Sequence, residues 1–225
     1  VTVTRSTDGA GHADSSVVLT NSNTYTGNTT VNSAVLQLGN NNGTDKGTTG
    51  VIRGTLTVNS PGAVTLGFTN ALGYGAGLKV NTFNINGATV NHSANGDNGW
   101  GVTYNMTGGI LQNTPTGTGR FAFGGGTSVD TVASNNSSQI NGSIFMRDSN
   151  PGNTIPLAVA EGGALYDLAI NANVTIGGNG ANVGFTKTGP GTLLLNGANT
   201  YSGATNVNEG NVVLGLDWVF SQVPE

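Results

Sequence analysis

The chain has 225 residues, of which 38 are glycine, and only 8% carry a charged side chain. It contains no cysteine, which excludes disulfides, thiol catalysis and thiolate metal sites. The net charge is −4 and the 7 Lys and Arg residues are scattered singly, so we expect no nucleic-acid binding. No apolar run approaches the ~20 residues of a membrane helix, and abundant Gly, Asn and Thr disfavour helices of any kind.

The N-terminal segment predicts an edge strand followed by a unit of strands and turns. Residues 1–4 alternate apolar and polar side chains, and residues 17–39 carry the phrase Asn23-Thr24-Tyr25-Thr26-Gly27. The same order of residue types returns without a gap in residues 193–215. A repeated unit of roughly two dozen residues is typical of folds whose units stack to bury their apolar side chains.

Between the two copies, the chain repeats a short strand, a corner rich in Gly and Asn, and a second short strand. This pattern occurs at residues 56–64, 83–90, 104–111, 139–145, 158–165 and 206–213. The repeated units can be aligned on one apolar residue in each, and successive anchors then lie roughly 19 to 34 residues apart, with one double step. The anchors are Val31, Val58, Ile85, Met106, Ile140, Val159 and Val207. Such short strands are not stable alone, but they pair when they stack ~4.8 Å apart along an axis.

We therefore predict an all-β fold, a single-stranded parallel β-helix (solenoid) of about ten rungs at that rise. Residues 1–225 form one domain, and residues 216–225 form an extended C-terminal tail. Asn and Thr at equivalent corners are expected to form ladders between rungs. A β-sandwich with hairpin turns and a disordered chain are the alternatives. The predicted core residues are Leu19, Leu38, Val58, Ile85, Ile140, Leu195 and Leu214.

One stretch near the C-terminus resembles a known family. Residues 184–195 read Gly-Phe-Thr-Lys-Thr-Gly-Pro-Gly-Thr-Leu-Leu-Leu, and Asn-Thr-Tyr-Ser-Gly follows at residues 199–203. They resemble the autotransporter-associated β-strand repeat, which implies a right-handed parallel β-helix on a bacterial surface or in secreted material. The N-terminal copy keeps only the second half of this motif. The motif residues here are Lys187, Gly189, Pro190, Gly191, Asn199, Thr200, Tyr201 and Gly203.

A second, shorter resemblance lies at the last three residues. Val223-Pro224-Glu225 resembles the opening of the PEP-CTERM sorting signal, without the membrane helix and basic cluster that follow it in that family. The resemblance implies export, processing at Pro224 and Glu225, and release into an extracellular matrix.

The titratable residues do not predict catalysis. Glu161 and Asp167 are the closest carboxylates in the middle of the chain, and we expect them at solvated corners rather than flanking a glycosidic bond. His12 and His92 are expected on the surface rather than as metal ligands. We predict no enzyme activity and no cofactor.

An aromatic segment leaves two interpretations open. Trp100, Tyr104, Phe121 and Phe123 flank Asp97 and Arg120. They form either a local core or a carbohydrate contact made by Trp100 and Tyr104.

The sequence thus favours a structural subunit of a bacterial extracellular or cell-surface fibre, such as that of a biofilm matrix. Its partner is a second copy of itself, because open β-helix ends that stack head to tail form filaments. An extracellular polysaccharide is the other partner considered. A surface adhesin or carbohydrate-binding module is the alternative, followed by a polysaccharide-active enzyme. The predicted subunit interface contains Val1, Val3, Tyr25, Tyr201, Trp218, Val219 and Phe220.

Overall fold

The computed structural model describes residues 1–4, 16–40, 44–113, 118–147, 154–177 and 182–215. These residues form twenty short strands and no helix. In chain order the strands are β1 (Thr2–Val3), β2 (Ser16–Leu19), β3 (Thr29–Val31), β4 (Val35–Leu38), β5 (Gly54–Asn59), β6 (Ala63–Leu66), β7 (Val80–Asn86), β8 (Thr89–His92), β9 (Asp97–Asn98), β10 (Thr103–Thr107), β11 (Ile110–Asn113), β12 (Arg120–Phe123), β13 (Ser128–Thr131), β14 (Ser138–Met146), β15 (Thr154–Ala158), β16 (Leu168–Ile176), β17 (Gly184–Thr188), β18 (Thr192–Leu195), β19 (Thr205–Val207) and β20 (Asn211–Leu214).

The strands form two sheets that the chain visits alternately. The first sheet has the order β1-β3-β5-β7-β10-β13-β15-β17-β19, and the second has the order β2-β4-β6-β8-β11-β14-β16-β18-β20. Each strand pairs in parallel with the strand one coil further along the chain. The predicted parallel β-solenoid is confirmed. The described residues supply nine stacked strands to each sheet, so the expected ten rungs were a slight overestimate.

Alternating side chains build the core, because every second residue of a strand points to the same face. In the second sheet the strand register aligns Leu36, Val64, Val90, Leu111 and Ile140 in one buried column. In the first sheet, Val31 aligns with Val58, Ile85 and Met106. The buried apolar residues form one continuous cluster from Val3 to Leu195.

The predicted core residues fall into three groups. Leu38, Val58, Ile85, Ile140 and Leu195 are buried, as predicted. Leu19 is only partly buried and packs against the core. Leu214 is 66% exposed, so that prediction is wrong. Leu214 lies at an inward position of β20, and among the described residues only β18 pairs with that strand, so no described rung covers its other side.

The predicted amide ladders are present on the outer faces and corners. Asn59 donates from Nδ2 to Asn32 Oδ1 over 2.8 Å, and Asn86 donates to Asn59 Oδ1 over 2.7 Å. These bonds tie three successive rungs at the corner between the two sheets. Further ladders join Thr57, Asn84 and Asn105 in the first sheet and Asn141, Asn171 and Asn196 in the second.

One residue of the predicted alignment belongs to the other sheet. Ile140 lies in the second sheet, where it pairs with Leu111, and Thr131 is the residue that pairs with Met106 in the first sheet. Residues 139–145 are therefore not two short strands around a corner but part of one long strand, β14. Gly142, at φ +105°, divides β14 into two halves.

The second half of β14 belongs to a small lateral extension of the solenoid. It pairs with β12, and β12 pairs with β9. These strands lie in the connections that lead from the second sheet back to the first, and they position the groove described next.

Candidate functional site

A groove of about 520 Å³ lies on this lateral face. Its wall is formed by five successive connections that lead from the second sheet to the first. Backbone pairing joins some of these connections, as a bridge between Asp45 and Thr69 and as the pairing of Asp97 with Arg120. The residues that line it are Asp45, Thr69, Asn70, Tyr74, Gly96, Asp97, Trp100, Arg120, Ala122 and Arg147.

Two arginines of the groove have different surroundings. Arg120 forms an ion pair with Asp97, with 2.9 Å between Nη2 and Oδ1, and its guanidinium lies 3.6 Å from the centre of the Phe145 ring. Arg147 lies over the Trp100 ring at 4.8 Å and has no carboxylate partner among the described residues. Within the described residues, the groove therefore holds one neutralised arginine and one whose charge is not paired.

The polar and aromatic side chains opposite are held by local hydrogen bonds. Asp45 Oδ1 accepts hydrogen bonds from Asn70 Nδ2 and from the backbone N–H of Gly47, at 2.8 and 2.7 Å. Tyr74 also lines the groove and is 42% exposed. A carboxylate, an amide and an open aromatic face thus line one side of the groove.

The structure separates the two predicted carbohydrate contacts. Trp100 is partly buried in the groove wall, and its indole packs closely on Gly125. Tyr104 is completely buried, between Phe83 and Phe123, so it is a core residue and its prediction as a sugar contact is wrong. Phe121 and Phe123 are core residues too. Burial also raises the pKa of Tyr104 well above its usual value, because it disfavours the phenolate.

Sequence reasoning missed most of this groove. Asp45, Tyr74 and Arg147 belong to three different connections, and no local spacing links them to Trp100. The only signal was the cluster of Trp100 with Asp97 and Arg120, which the structure does bring together.

The predicted repeat motif has a well-defined structure around Lys187. Its aliphatic chain takes an inward position between Leu157 and Val207, and the residue is fully buried. The ammonium group donates to the carbonyl oxygens of Gly189 and Glu209, at 2.7 and 2.8 Å. Burial lowers the pKa of Lys187, while Glu209 and Asp167 oppose that change. Lys187 therefore ties the Gly-Pro-Gly turn to the next rung.

The second half of the motif adopts the same local structure in both copies. Tyr201 Oη lies 2.7 Å from Thr205 Oγ1, and Tyr25 Oη lies 2.7 Å from Thr29 Oγ1. Each tyrosine is partly buried at the corner before a strand of the first sheet. In the C-terminal copy, the Asn199 side chain accepts a hydrogen bond from the N–H of Val174, and the N–H of Thr200 donates to the Val174 carbonyl.

The remaining motif residues lie where rungs approach closely. A Cβ on Gly189, Gly191 or Gly203 would collide with the backbone of the neighbouring rung. Pro190 lies between the first two of these glycines, in the turn that leads from β17 to β18.

The carboxylates considered above as catalytic or metal-binding residues lie at corners of the solenoid. Asp167 is nearly buried and accepts hydrogen bonds from the N–H groups of Gly162 and Thr192, whereas Glu161 is exposed. Asp167 thus does not lie at a solvated corner as predicted, because its carboxylate joins two corners of the chain. In the described ranges, no three His, Cys, Asp or Glu side chains group closely enough to hold a metal ion.

His92 is the clearest error among the predicted surface residues. It occupies the inward column of Leu38 and Leu66, is 1% exposed and lies 3.0 Å from Asn98 Nδ2 through Nε2. Burial lowers its pKa to about 4, although the negative charge of Asp97 favours the protonated ring. His12, Trp218, Val219, Phe220, Pro224 and Glu225 lie outside the described residues.

Comparison with known proteins points to the same repeat. The model of the passenger-associated-transport-repeat matches residues 15–38 and 185–214. The searches of curated proteins and of solved structures gave no match.

The two matched segments and the parallel β-solenoid fit an autotransporter-associated β-strand repeat protein. The matched repeat suggests an autotransporter-type surface or secreted repeat protein with a structural or passenger domain. No helix in the described part of the chain is long and apolar enough to cross a membrane.

Proposed function

We propose that the chain is a structural subunit of a bacterial extracellular or cell-surface fibre and that it assembles head to tail. One observation carries the proposal: exposed apolar residues at the two ends fall in the same inward columns. Leu214 continues the column that begins at Val17, through Leu36 and Leu195. Both end residues are exposed.

The first sheet has the same property. Val207 belongs to the column that runs through Lys187 and Leu157 to Leu56 and Thr29. Val1 precedes Thr2, which pairs with Thr30, so Val1 begins this column; it is 60% exposed. A second copy placed on β19 and β20 would cover four exposed apolar residues and pair the free strand edges.

The other predicted interface residues contribute unequally to this proposal. Val3 is already buried against Val31 in its own chain, so it offers little free surface. Tyr25 and Tyr201 lie at the corners next to the end strands and keep half-buried rings there. The role of Trp218, Val219 and Phe220 in covering the next subunit stays a proposal.

The surroundings of the carboxylates support a structural role without a catalytic centre. Both Asp167 oxygens accept backbone hydrogen bonds, which suits a group that joins two corners of the chain. Processing at Pro224 and Glu225 and placement in a biofilm matrix remain part of the proposal.

A pair of introduced cysteines tests the head-to-tail contact, because the chain has no cysteine of its own. Paired strands lie about 4.8 Å apart, within the Cα separation that a disulfide spans. We expect Val17→Cys with Leu214→Cys to form oxidised polymers that give a ladder on non-reducing gels. Negative-stain electron microscopy should show filaments of the unmodified chain.

The control pairs Val17→Cys with Leu165→Cys, since Leu165 is 81% exposed on a lateral loop. This variant should give no ladder. Leu214→Asp should abolish filaments, because it places a charge in the joined core, whereas Leu165→Asp should not. Filaments that persist with Leu214→Asp, or equal cross-linking of both cysteine pairs, would show that the ends are not the contact.

A further inference from the structure

The lateral groove has the features of a binding site that is separate from the two ends of the solenoid. Its volume of about 520 Å³ lies in the range of small-molecule sites. Because five stacked connections line it, it runs along the coil for roughly 20 Å at ~4.8 Å per rung. Its shape therefore suits an extended chain better than a compact ligand.

Arg147 defines the charge of the ligand. Its guanidinium is held over Trp100, its Nε is buried without a hydrogen-bond partner, and no carboxylate of the described residues pairs with it. A fixed guanidinium with free donors matches the geometry of a carboxylate, which it can bind through two parallel hydrogen bonds. Arg120 cannot take this role without losing its bond to Asp97.

Tyr74 and Asp45 define the rest of the ligand. The exposed Tyr74 ring offers a flat apolar surface, and such a surface packs against the C–H face of a pyranose ring. Asp45 uses one oxygen to hold Asn70 and the Gly47 N–H, which leaves its second oxygen to accept hydrogen bonds from hydroxyl groups. Thr69 and Asn70 add further polar atoms to this wall.

We infer that the groove binds an acidic polysaccharide, with the carboxylate of a uronic acid unit at Arg147 and its ring against Tyr74. A neutral glycan would leave the guanidinium charge of Arg147 without a counter-charge. An acidic peptide would satisfy Arg147 but would offer few hydroxyl groups to Asp45.

The experiment uses the whole chain carrying Leu214→Asp, so that the outcome does not depend on fibre assembly. It is applied to an array of galacturonate, glucuronate and mannuronate oligomers, each printed beside the neutral hexose oligomer of the same linkage. We expect binding to at least one acidic series and a much weaker signal on its neutral counterpart. The best oligomer is then titrated by calorimetry.

Five variants show whether this groove is the site. Arg147→Gln and Tyr74→Ala should each weaken binding at least tenfold, and Arg147→Lys should restore part of the loss of Arg147→Gln. Arg53→Gln and Tyr166→Ala remove the same residue types from positions that do not line the groove, and they should bind normally. Circular dichroism and the melting temperature establish that each variant folds.

Three results would overturn the inference. The first is no binding to any acidic series, and the second is equal binding to acidic and neutral oligomers. The third is full affinity in the folded Arg147→Gln and Tyr74→Ala variants.

Discussion

At the scale of single residues, two polar side chains occupy inward positions that neighbouring rungs fill with apolar ones. His92 follows Leu38 and Leu66 in its column, and Lys187 lies between Leu157 and Val207. Each has hydrogen-bond partners, since His92 lies against Asn98 and Lys187 donates to backbone carbonyls. A polar group in the core is tolerated when such partners replace water.

His92 should make the stability of the protein depend on pH. Burial holds its pKa at about 4 in the folded chain, against an ordinary value of 6.5. Between these values the unfolded chain binds a proton that the folded chain does not, so stability falls as the pH drops from 6.5 to 4. His92→Leu, which matches the leucines of its column, should remove about 2 kcal/mol of this loss.

Urea unfolding at pH 7 and pH 4.5 measures the effect in both proteins. Because the two chains share all other titratable groups, only the difference between their acid losses is attributed to His92. Equal losses of unfolding free energy in the wild type and in His92→Leu would contradict the prediction.

At the scale of the element, the two copies of the repeat differ in how closely they approach the neighbouring rung. Gly27 and Gly203 hold the same place in the two copies, and neither has a positive φ. No atom of the described residues lies within 4 Å of a Cβ placed on Gly27, whereas a Cβ on Gly203 would lie 2.5 Å from the Asn182 carbonyl oxygen. Within the described part of the chain, the same motif residue thus packs closely in only one copy.

Alanine substitutions should reveal this difference. Gly203→Ala should lower the unfolding free energy by about 1–3 kcal/mol, because the backbone of the adjacent rung must move. Gly27→Ala should be neutral or stabilising by up to about 1 kcal/mol, since alanine restricts the unfolded chain. Thermal unfolding followed by circular dichroism compares the two variants, and equal destabilisation would show that the close approach is not the cause.

At the scale of the whole molecule, the solenoid is least protected at its C-terminal end. All residues of β19 are exposed, whereas β7 and β10 alternate buried and partly exposed residues in the middle of the coil. Contacts in a solenoid connect neighbouring rungs, so a rung with one described neighbour has fewer interactions that resist opening.

Hydrogen exchange should therefore show a gradient along the chain. In the unassembled protein, amides of β19 and β20 should exchange faster than those of β7 and β10. If the chain assembles head to tail, β19 and β20 should become protected in the filaments, while the central rungs change little. Mass spectrometry of both fractions measures this, and end strands that exchange equally fast in filaments would contradict the proposed contact.

The alternation of Val, Ile and Leu with Asn and Thr was sufficient to predict the parallel solenoid, its ladders and most of its core. Each strand is short, and its apolar side chains recur at every second residue, so the local sequence decides which side chains point inward. The repeat motif likewise identified the family, because its turn residues lie close together in the chain.

Tertiary structure alone decided the groove, the burial of His92 and Lys187, and the strand to which Ile140 belongs. In a parallel solenoid, stacked residues are about 20 to 30 positions apart, and the lengths of the irregular connections decide which of them meet. Asp45, Tyr74, Trp100, Arg120 and Arg147 share one groove for that reason, and no local pattern records their proximity.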